Sequence, residues 1–438
     1  MWKRCGATAL AKGLVIAAPR SGSGKTVVTL GLLAALRQRG TVVAPAKTGP
    51  DYIDPTYLSR AALRDAVNLD PWAMPAERLR ELASLQATGA DLLVVEGVMG
   101  LFDGAADNTG STADLAAGLG LPVILAVDAE RQSQSVAALI AGFARWRSDV
   151  RVAGVILNRV ASTRHERMLA EAVAQTGLPL LGALPRDPDM ALPERHLGLV
   201  LPGEIDGFDL FLSAAAQSVG DYVDLDALLR LASPTPEASE AGEPLPPLGQ
   251  HIAIARDAAF AFLYPHLLDG WRAQGATLSF FSPLADEAPD ASADAIFLPG
   301  GYPELHGPQL AAASRFKSGL AAARDRGALI YGECGGFMVL GEAIVDKTGA
   351  AYPMAGLLPV TTRIDRPKRV LGYRRLIQSG DLPWPGHLMG HEFHYSFARQ
   401  TRLPPLFAAT DARGEALPPM GAVIGRVMGS YAHVIDRA

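Results

Sequence analysis

The sequence predicts an α/β protein made of two parallel-sheet domains, and three observations carry that expectation. Short apolar runs rich in β-branched residues alternate with helix-like segments through most of the chain, as in parallel sheets covered on both faces. The stretch 233–250, SPTPEASEAGEPLPPLGQ, is rich in Pro, Glu and Ser, lacks apolar periodicity, and reads as a linker stiffened by proline. With 438 residues, 49% of them hydrophobic and 19% charged, the chain can fill more than one core, and general disorder is excluded. The expected division is an N-terminal domain over 1–232, a linker over 233–250 and a C-terminal domain over 251–438.

In the N-terminal part the expected strands are Leu14–Ala18, Thr41–Ala44, Leu92–Val95, Pro122–Val127, Val152–Leu157 and Leu180–Ala183. Thr26–Arg37 and His165–Gln175 are helix-like segments between them. The basic, then apolar N-terminus could open a signal peptide, but it runs straight into a glycine-rich loop and is read as the first strand. The C-terminal part repeats the pattern, with strands expected at Ile252–Ala255, Thr277–Phe281, Ala295–Leu298 and Leu329–Tyr331. Helices are expected over Ala261–Gln274 and Leu310–Arg326, and the last stretch, rich in Gly and Pro, resists assignment.

Charge and cysteine content narrow the function classes. Lys+Arg 40 against Asp+Glu 45 leaves a net charge of −5, which argues against nucleic-acid binding through a basic surface. Two cysteines, Cys5 and Cys334, do not make a disulfide framework and fit a reducing compartment. No run reaches the roughly 18 uncharged apolar residues that span a bilayer. A soluble, cytoplasmic protein without a membrane partner is expected.

The first strand leads into Ser21-Gly22-Ser23-Gly24-Lys25-Thr26 and then a helix, the setting of a phosphate-binding loop. Gly22 and Gly24 allow backbone N–H groups to turn onto phosphate oxygens, and the helix N-terminus adds positive potential. Lys25 would reach the outer phosphates and the Thr26 hydroxyl would ligate Mg²⁺. The pattern departs from the common one at Pro19, where a glycine is usual. Glu96 ends a later strand, where a carboxylate can hold Mg²⁺ directly or through water, or simply cap a loop. Asp51, Tyr52 and Asp54 lie in a stiff loop after the second strand, suited to metal binding, to orienting a substrate carboxylate, or to ordinary turn chemistry. Asn158 ends another strand and could read an adenine edge with its donor and acceptor, or be a loop residue.

A second chemistry is written at Gly332-Glu-Cys334-Gly335-Gly336. A strand followed by Gly-x-Cys-x-Gly is a nucleophile elbow carrying a thiol. The expected picture is an exposed thiol at a helix N-terminus with a lowered pKa. The Gly335 N–H would donate to an oxyanion, with a second donor at Gly301 in the Pro299–Glu304 turn. Candidate bases are His387, His391, His394 and His433, the last following an expected strand near the end of the chain. His391-Glu392-Phe393-His394 misses the zinc-protease spacing by one residue. A buried apolar cysteine and a structural histidine are the bland alternatives.

Together these features resemble the glutamine-dependent cobyrinic or hydrogenobyrinic acid a,c-diamide synthase family of cobalamin biosynthesis. Seven blocks carry the resemblance: SGSGKT (21–26), KTGPDYIDP (47–55), EGVMGLFDG (96–104), PGGYPE (299–304), GECGGFM (332–338), LGYR (371–374) and GHEFHYS (390–396). It implies an N-terminal synthetase domain of the dethiobiotin-synthetase type and a C-terminal class I glutamine amidotransferase domain. It implies Cys334 as nucleophile and His433 as its partner. It also implies Asp51, Asp54 and Glu96, with Tyr52 beside them, in ATP, Mg²⁺ or substrate activation, and Asp103 is a further candidate for substrate activation. Class I amidotransferases have a Glu two residues after the His; here that position is Ile435, followed by Asp436, so a Cys–His dyad is expected.

The implied reaction phosphorylates a corrin carboxylate with ATP and displaces phosphate with ammonia released from glutamine. Ammonia would pass between the domains. The expected partners are ATP, L-glutamine and a corrin polycarboxylate, with Mg²⁺ as cofactor; a homodimer is left open. Metal-free hydrogenobyrinic acid is the first choice of substrate over cobyrinic acid. Cobyric acid synthase and a nickel-sirohydrochlorin diamide synthase are sibling readings. A partition-type ATPase switch with an inactive amidase-like domain is a more distant one.

Overall fold

The computed structural model describes residues 11–195, 198–237, 242–365, 369–400 and 403–438. Cys5 and the first residues of the apolar N-terminus lie outside the described residues. The chain divides into two compact units, one of residues up to Gly104 and 108–242, the other of 105–107 and Glu243 to the C-terminus.

The first unit alternates strands and helices: β1 (Lys12–Ala17), α1 (Lys25–Gln38), β2 (Val43–Thr48), α2 (Asp54–Ala62), β3 (Val67–Leu69), α3 (Ala76–Ala87), β4 (Leu92–Glu96), α4 (Thr112–Leu119), β5 (Val123–Asp128), α5 (Val136–Arg145), β6 (Val152–Val160), α6 (Thr163–Ala174) and β7 (Leu180–Pro185). The strands form a parallel sheet in the order β3-β2-β4-β1-β5-β6-β7. Every residue of β4 and β5 is buried, so both read as continuous apolar runs rather than alternating ones. A small hairpin of β8 (Glu194–Arg195) and β9 (Gly198–Leu199) and two helices, α7 (Phe208–Tyr222) and α8 (Leu225–Leu231), follow. β10 (Ser233–Pro234) pairs antiparallel with the start of central β1, so the segment expected as linker opens as a short added strand of this sheet.

The second expected strand, Thr41–Ala44, is longer and starts later: β2 runs through Pro45 to Thr48. Pro45 reads as a strand end because it cannot donate to a ladder. The extension matters, since it places Lys47 at the carboxyl edge of the sheet.

The second unit begins with β11 (His251–Ala255), α9 (Pro265–Ala273), β12 (Thr277–Phe281), β13 (Ala295–Leu298), α10 (Gly307–Ala312), α11 (Ser314–Asp325), β14 (Leu329–Glu333) and α12 (Gly335–Leu340). The helix expected over Ala261–Gln274 starts only at Pro265, which suits a first helical turn, and the one expected over Leu310–Arg326 is interrupted at Ala313. The unassigned C-terminal stretch is mostly β. It contains β15 (Ala343–Val345), β16 (Ala351–Pro353), β17 (Val360–Arg363), β18 (Val370–Gln378), β19 (His387–His394), β20 (Phe397–Gln400), β21 (Phe407–Thr410), β22 (Ala416–Met420), β23 (Ala422–Ile424), β24 (Val427–Ser430) and β25 (His433–Arg437).

Three sheets result: β12-β11-β13-β14-β24-β23, parallel except for its last strand, and two others ordered β16-β15-β17-β20 and β22-β21-β18-β19-β25. The turn between β24 and β25 carries the chain from the first of these sheets into the third, directly beside the end of β14. No helix among the described residues is long and apolar enough to cross a membrane.

Candidate active site

Both candidate sites lie at the carboxyl edge of a parallel sheet, where side chains converge above the strand ends. In the first unit the loop between β1 and α1 is braced from behind. The Asn158 amide donates to Ser23 O at 3.0 Å, and Arg159 Nη1 donates to Gly22 O at 3.0 Å. Asp128 Oδ2 accepts from Arg159 at 2.8 Å and from Arg20 at 3.1 Å. In a trans peptide the N–H points opposite to the carbonyl, so fixing these two carbonyls aims the Ser23 and Gly24 N–H groups away from the brace. Gly24 has a φ of 79°, and a Cβ there would lie 2.2 Å from Asn158 Nδ2. Asn158 Oδ1 also accepts from Arg159 N at 3.0 Å, so both ends of the amide expected to read a base are engaged in the loop.

Lys47 is the center of the charged cluster beside the loop, and the sequence reading assigned it no role. It is 1% exposed. Its Nζ lies 3.1 Å from Asp51 Oδ2, 3.4 Å from Asp54 Oδ1 and 3.2 Å from Glu96 Oε1, and donates to Gly97 O at 3.0 Å. Glu96 Oε1 also accepts from the Thr26 hydroxyl at 3.0 Å and from Lys25 Nζ at 3.4 Å. The structure thus brings together Lys25, Thr26, Asp51, Asp54 and Glu96. Asp103 closes its own loop, accepting from Gly100 N at 2.9 Å. Tyr52 lies between the two aspartates in the turn before α2.

Burial and charge compete in this cluster. Burial alone would raise the Glu96 carboxyl, but Lys47, Lys25 and the Thr26 hydroxyl outweigh it and hold it low. Burial wins at Asp54, pushed up to about 6 against the pull of Lys47. Burial also lowers Lys25, assisted by Lys47. Burial would lower Lys47 as well, yet the three carboxylates reverse the sign and keep it charged.

Among the described residues, no group of three or more His, Cys, Asp or Glu is arranged to hold a metal on protein ligands alone. Mg²⁺ commonly keeps several waters and takes one or two carboxylates together with phosphate oxygens. Glu96 Oε2 is buried without a hydrogen-bond partner among the described residues, next to the Thr26 hydroxyl. That oxygen, the hydroxyl and half-buried Asp51 fit such an ion.

In the second unit the nucleophile elbow is present. Cys334 follows β14 with φ 46° and ψ −105°, a conformation that non-glycine residues adopt only when the surroundings impose it. Its N–H donates to Ser430 O at 2.8 Å, tying the elbow to β24. The Gly335 N–H donates to the sulfur. A Cβ on Gly335 would come within 3.1 Å of Gly301 N, so the two expected oxyanion donors are neighbors.

The expectation of an exposed, acidified thiol is corrected. Cys334 is 1% exposed, in a cluster with Phe337, Met338 and Tyr431. Burial pushes its thiol well up, as do the charges of Glu304, Glu392 and Glu333, against the Gly335 N–H. The helix that was to lower it, α12, has only 6 residues, too short for its dipole to offset that burial.

His433 opens β25 and is equally buried. A Cβ on Gly300 would touch its Cε1 at 2.2 Å, so the imidazole sits against the glycine pair expected to supply an oxyanion donor. Burial, with His391 and His394 nearby, holds its pKa well below the usual range. His387 is exposed at the start of β19, leaving His433 as the base the geometry favors over it.

Sequence reading missed Glu333. Its Oε2 lies 3.8 Å from His433 Nδ1, while Oε1 accepts from the Tyr331 hydroxyl at 2.9 Å and from Val434 N at 3.0 Å. The signal was its place beside the nucleophile within GECGGFM. The unassigned blocks LGYR and GHEFHYS pair as β18 and β19. Glu392 there takes Arg374 Nε at 2.8 Å and His394 Nε2 at 2.9 Å, and the His394 ring stacks on Tyr431 at 4.1 Å.

Comparison with known proteins agrees with this two-part layout. Residues 14–200 match the CobQ/CobB/MinD/ParA nucleotide binding domain, and residues 251–437 match the CobB/CobQ-like glutamine amidotransferase domain. The hydrogenobyrinate a,c-diamide synthase of Brucella abortus is 56% identical over 429 residues, covering 97% of this chain and 98% of that protein. The enzyme of the same name from Rhizobium meliloti is 54% identical, covering 97% and 99%, and that from Rhodobacter capsulatus 51%, covering 97% and 98%. At such identity over nearly the whole length, the chain belongs to the hydrogenobyrinate a,c-diamide synthase family.

Proposed function

We propose that this chain is a carbon–nitrogen ligase that converts the a and c acetate carboxylates of hydrogenobyrinic acid to amides, using ATP and glutamine. The observation that carries the reading is the coexistence in one chain of a braced phosphate loop with its Lys25–Thr26–Glu96 cluster and a strained thiol elbow with two adjacent N–H donors.

In the first unit, the loop N–H groups and Lys25 hold the ATP phosphates while a corrin carboxylate oxygen attacks the terminal phosphorus. ADP leaves and an acyl phosphate remains. Thr26 and Glu96, with Asp51, would hold Mg²⁺, which withdraws charge from the phosphoryl oxygens when bound. Lys47 keeps Glu96, Asp51 and Asp54 from repelling one another and the phosphates. Ammonia then attacks the acyl carbon and phosphate departs.

In the second unit, Cys334 attacks the side-chain amide carbon of glutamine as its proton passes to His433. Gly335 and Gly301 N–H groups stabilize the oxyanion. His433 returns the proton to the leaving nitrogen, ammonia departs, and water activated by His433 clears the thioester to give glutamate. Burial places thiol and imidazole as a neutral pair at rest, so the thiolate forms as glutamine is attacked.

The test is product mass. Purified protein with ATP, glutamine and hydrogenobyrinic acid should yield a diamide, with cobyrinic acid as the competing substrate. Amidation of nickel-sirohydrochlorin in place of either corrin would overturn the substrate assignment.

A further inference from the structure

We infer that Glu333, the residue immediately before the nucleophile, is the acid partner of His433 and completes the glutaminase site as a positioning residue. The inference rests on the reading of Cys334 and His433 given above. The usual acid position, two residues after the histidine, holds Ile435, which is buried and apolar. Asp436 lies beyond a bulge at Ile435 in β25, where its carboxylate accepts from the Arg437 N–H at 2.9 Å.

Glu333 reaches the imidazole from another strand. One carboxylate oxygen is fixed by the Tyr331 hydroxyl and the Val434 N–H, and the other is left 3.8 Å from His433 Nδ1. The Val434 bond links the residue before the nucleophile to the residue after the base, so one carboxylate sets the spacing of both strands. The 3.8 Å separation is longer than a hydrogen bond and suits an ion pair that tightens when the ring is charged.

The chemistry calls for such a group. When the Cys334 proton moves to His433, a buried imidazolium forms, and buried charge is tolerated only with a partner. His391 and His394 on β19 disfavor positive charge there, and the Glu392 carboxylate is engaged by Arg374 at 2.8 Å and His394 at 2.9 Å. Tyr331 donates to Glu333 and leaves the ring to it. Burial pushes the Glu333 carboxyl up to about 8, so it ionizes as pH rises through that value and only then offers countercharge. Interacting groups titrate as a set, so the resulting pH limb belongs to the Glu333–His433 pair.

The experiment measures glutaminase kcat and KM from pH 6 to 10 (a range spanning roughly two units on either side of that ionization) for the parent chain, Glu333→Gln and Glu333→Asp. Glutamine at 333 can still accept from Val434 N–H and deletes only the charge. It should lower kcat about 10²-fold or more with little change in KM, and should abolish the rise through pH 8. Aspartate should restore part of the rate and keep the rise. Parental kcat and an unchanged pH limb in correctly melting Glu333→Gln overturn the inference. So does a flat parent profile between pH 7 and 9 (about one unit either side), which needs no variant to fold. Continued glutamine hydrolysis by Cys334→Ala would instead remove the thiol reading beneath it, and so separates the two failures.

Discussion

Replacing Lys47 by methionine tests the electrostatics of the first unit most directly. The ammonium is buried with three carboxylates at 3.1, 3.4 and 3.2 Å. At an effective dielectric constant near 20, each pair contributes roughly 5 kcal/mol of gross attraction. Asp51 is partly exposed and contributes less, and desolvation of the buried ions takes back several kcal/mol each. Deleting one partner leaves uncompensated charge, and such deletions typically cost about 3–5 kcal/mol. Lys47, with its pKa raised, contributes stability below its ordinary value of 10.5, so the loss is present across neutral pH. It should shrink toward pH 6 in the variant, because Asp54 already titrates near 6 and rises further without Lys47.

Because the chain has two units, a single melting temperature does not isolate the effect. Amide hydrogen exchange followed by mass spectrometry does. Peptides covering 43–48 and 92–96 should exchange roughly 10²- to 10⁴-fold faster at pH 8, with peptides covering 329–333 unchanged. Unchanged protection at pH 8, or the same loss at pH 6 after correction for intrinsic rates, refutes the reasoning.

Lys25→Ala should abolish ATP-dependent amidation while leaving fold stability unchanged or slightly raised, since burial and Lys47 already disfavor the Lys25 charge; ADP release and denaturant unfolding check the two halves. Cys334→Ala should lose glutamine hydrolysis and still form diamide when ammonium salts replace glutamine, read by product mass. Gly24→Ala should lose nucleotide binding, measured by calorimetry, and cost about 1–3 kcal/mol, because its Cβ would collide with Asn158 at 2.2 Å in a left-handed conformation.

The parallel sheets and both motif loops were legible because each has a local signal: buried strands leave continuous apolar runs, and glycines mark the turns after β1 and β14. What escaped was the relation between distant segments. Lys47 was visible only as part of a motif, since Pro45 made its strand look finished before it. The Cys334 environment was misread because a glycine-rich elbow suggests exposure, whereas Leu298, Leu358 and Tyr431, buried in the same cluster, come from elsewhere in the chain. Glu333 was overlooked for a similar reason. Its partner is set by the crossing of β24 into β25, which no spacing in the sequence announces. The final strands were unassignable because their Gly- and Pro-rich composition weakens the alternation on which strand recognition depends.

The two sites handle charge in opposite ways. In the first unit Lys25 and Lys47 stand among three carboxylates, and Glu96 is held ionized, so the cluster stays charged through neutral pH and presents a preset field to a phosphate chain. In the second, burial raises Cys334 and Glu333 and lowers His433, so every member is neutral at rest. A preset field suits phosphoryl transfer, whose charge is present before the reaction starts. A neutral triad suits amide cleavage, where charge must appear only with substrate in place, since a standing thiolate would invite oxidation. It follows that the pH sensitivity of glutamine-driven amidation should originate in the second unit. Amidation driven by ammonia, compared at equal concentrations of the unprotonated base, should lack the limb near pH 8; a limb of the same size in both would place its origin in the first unit and contradict this division.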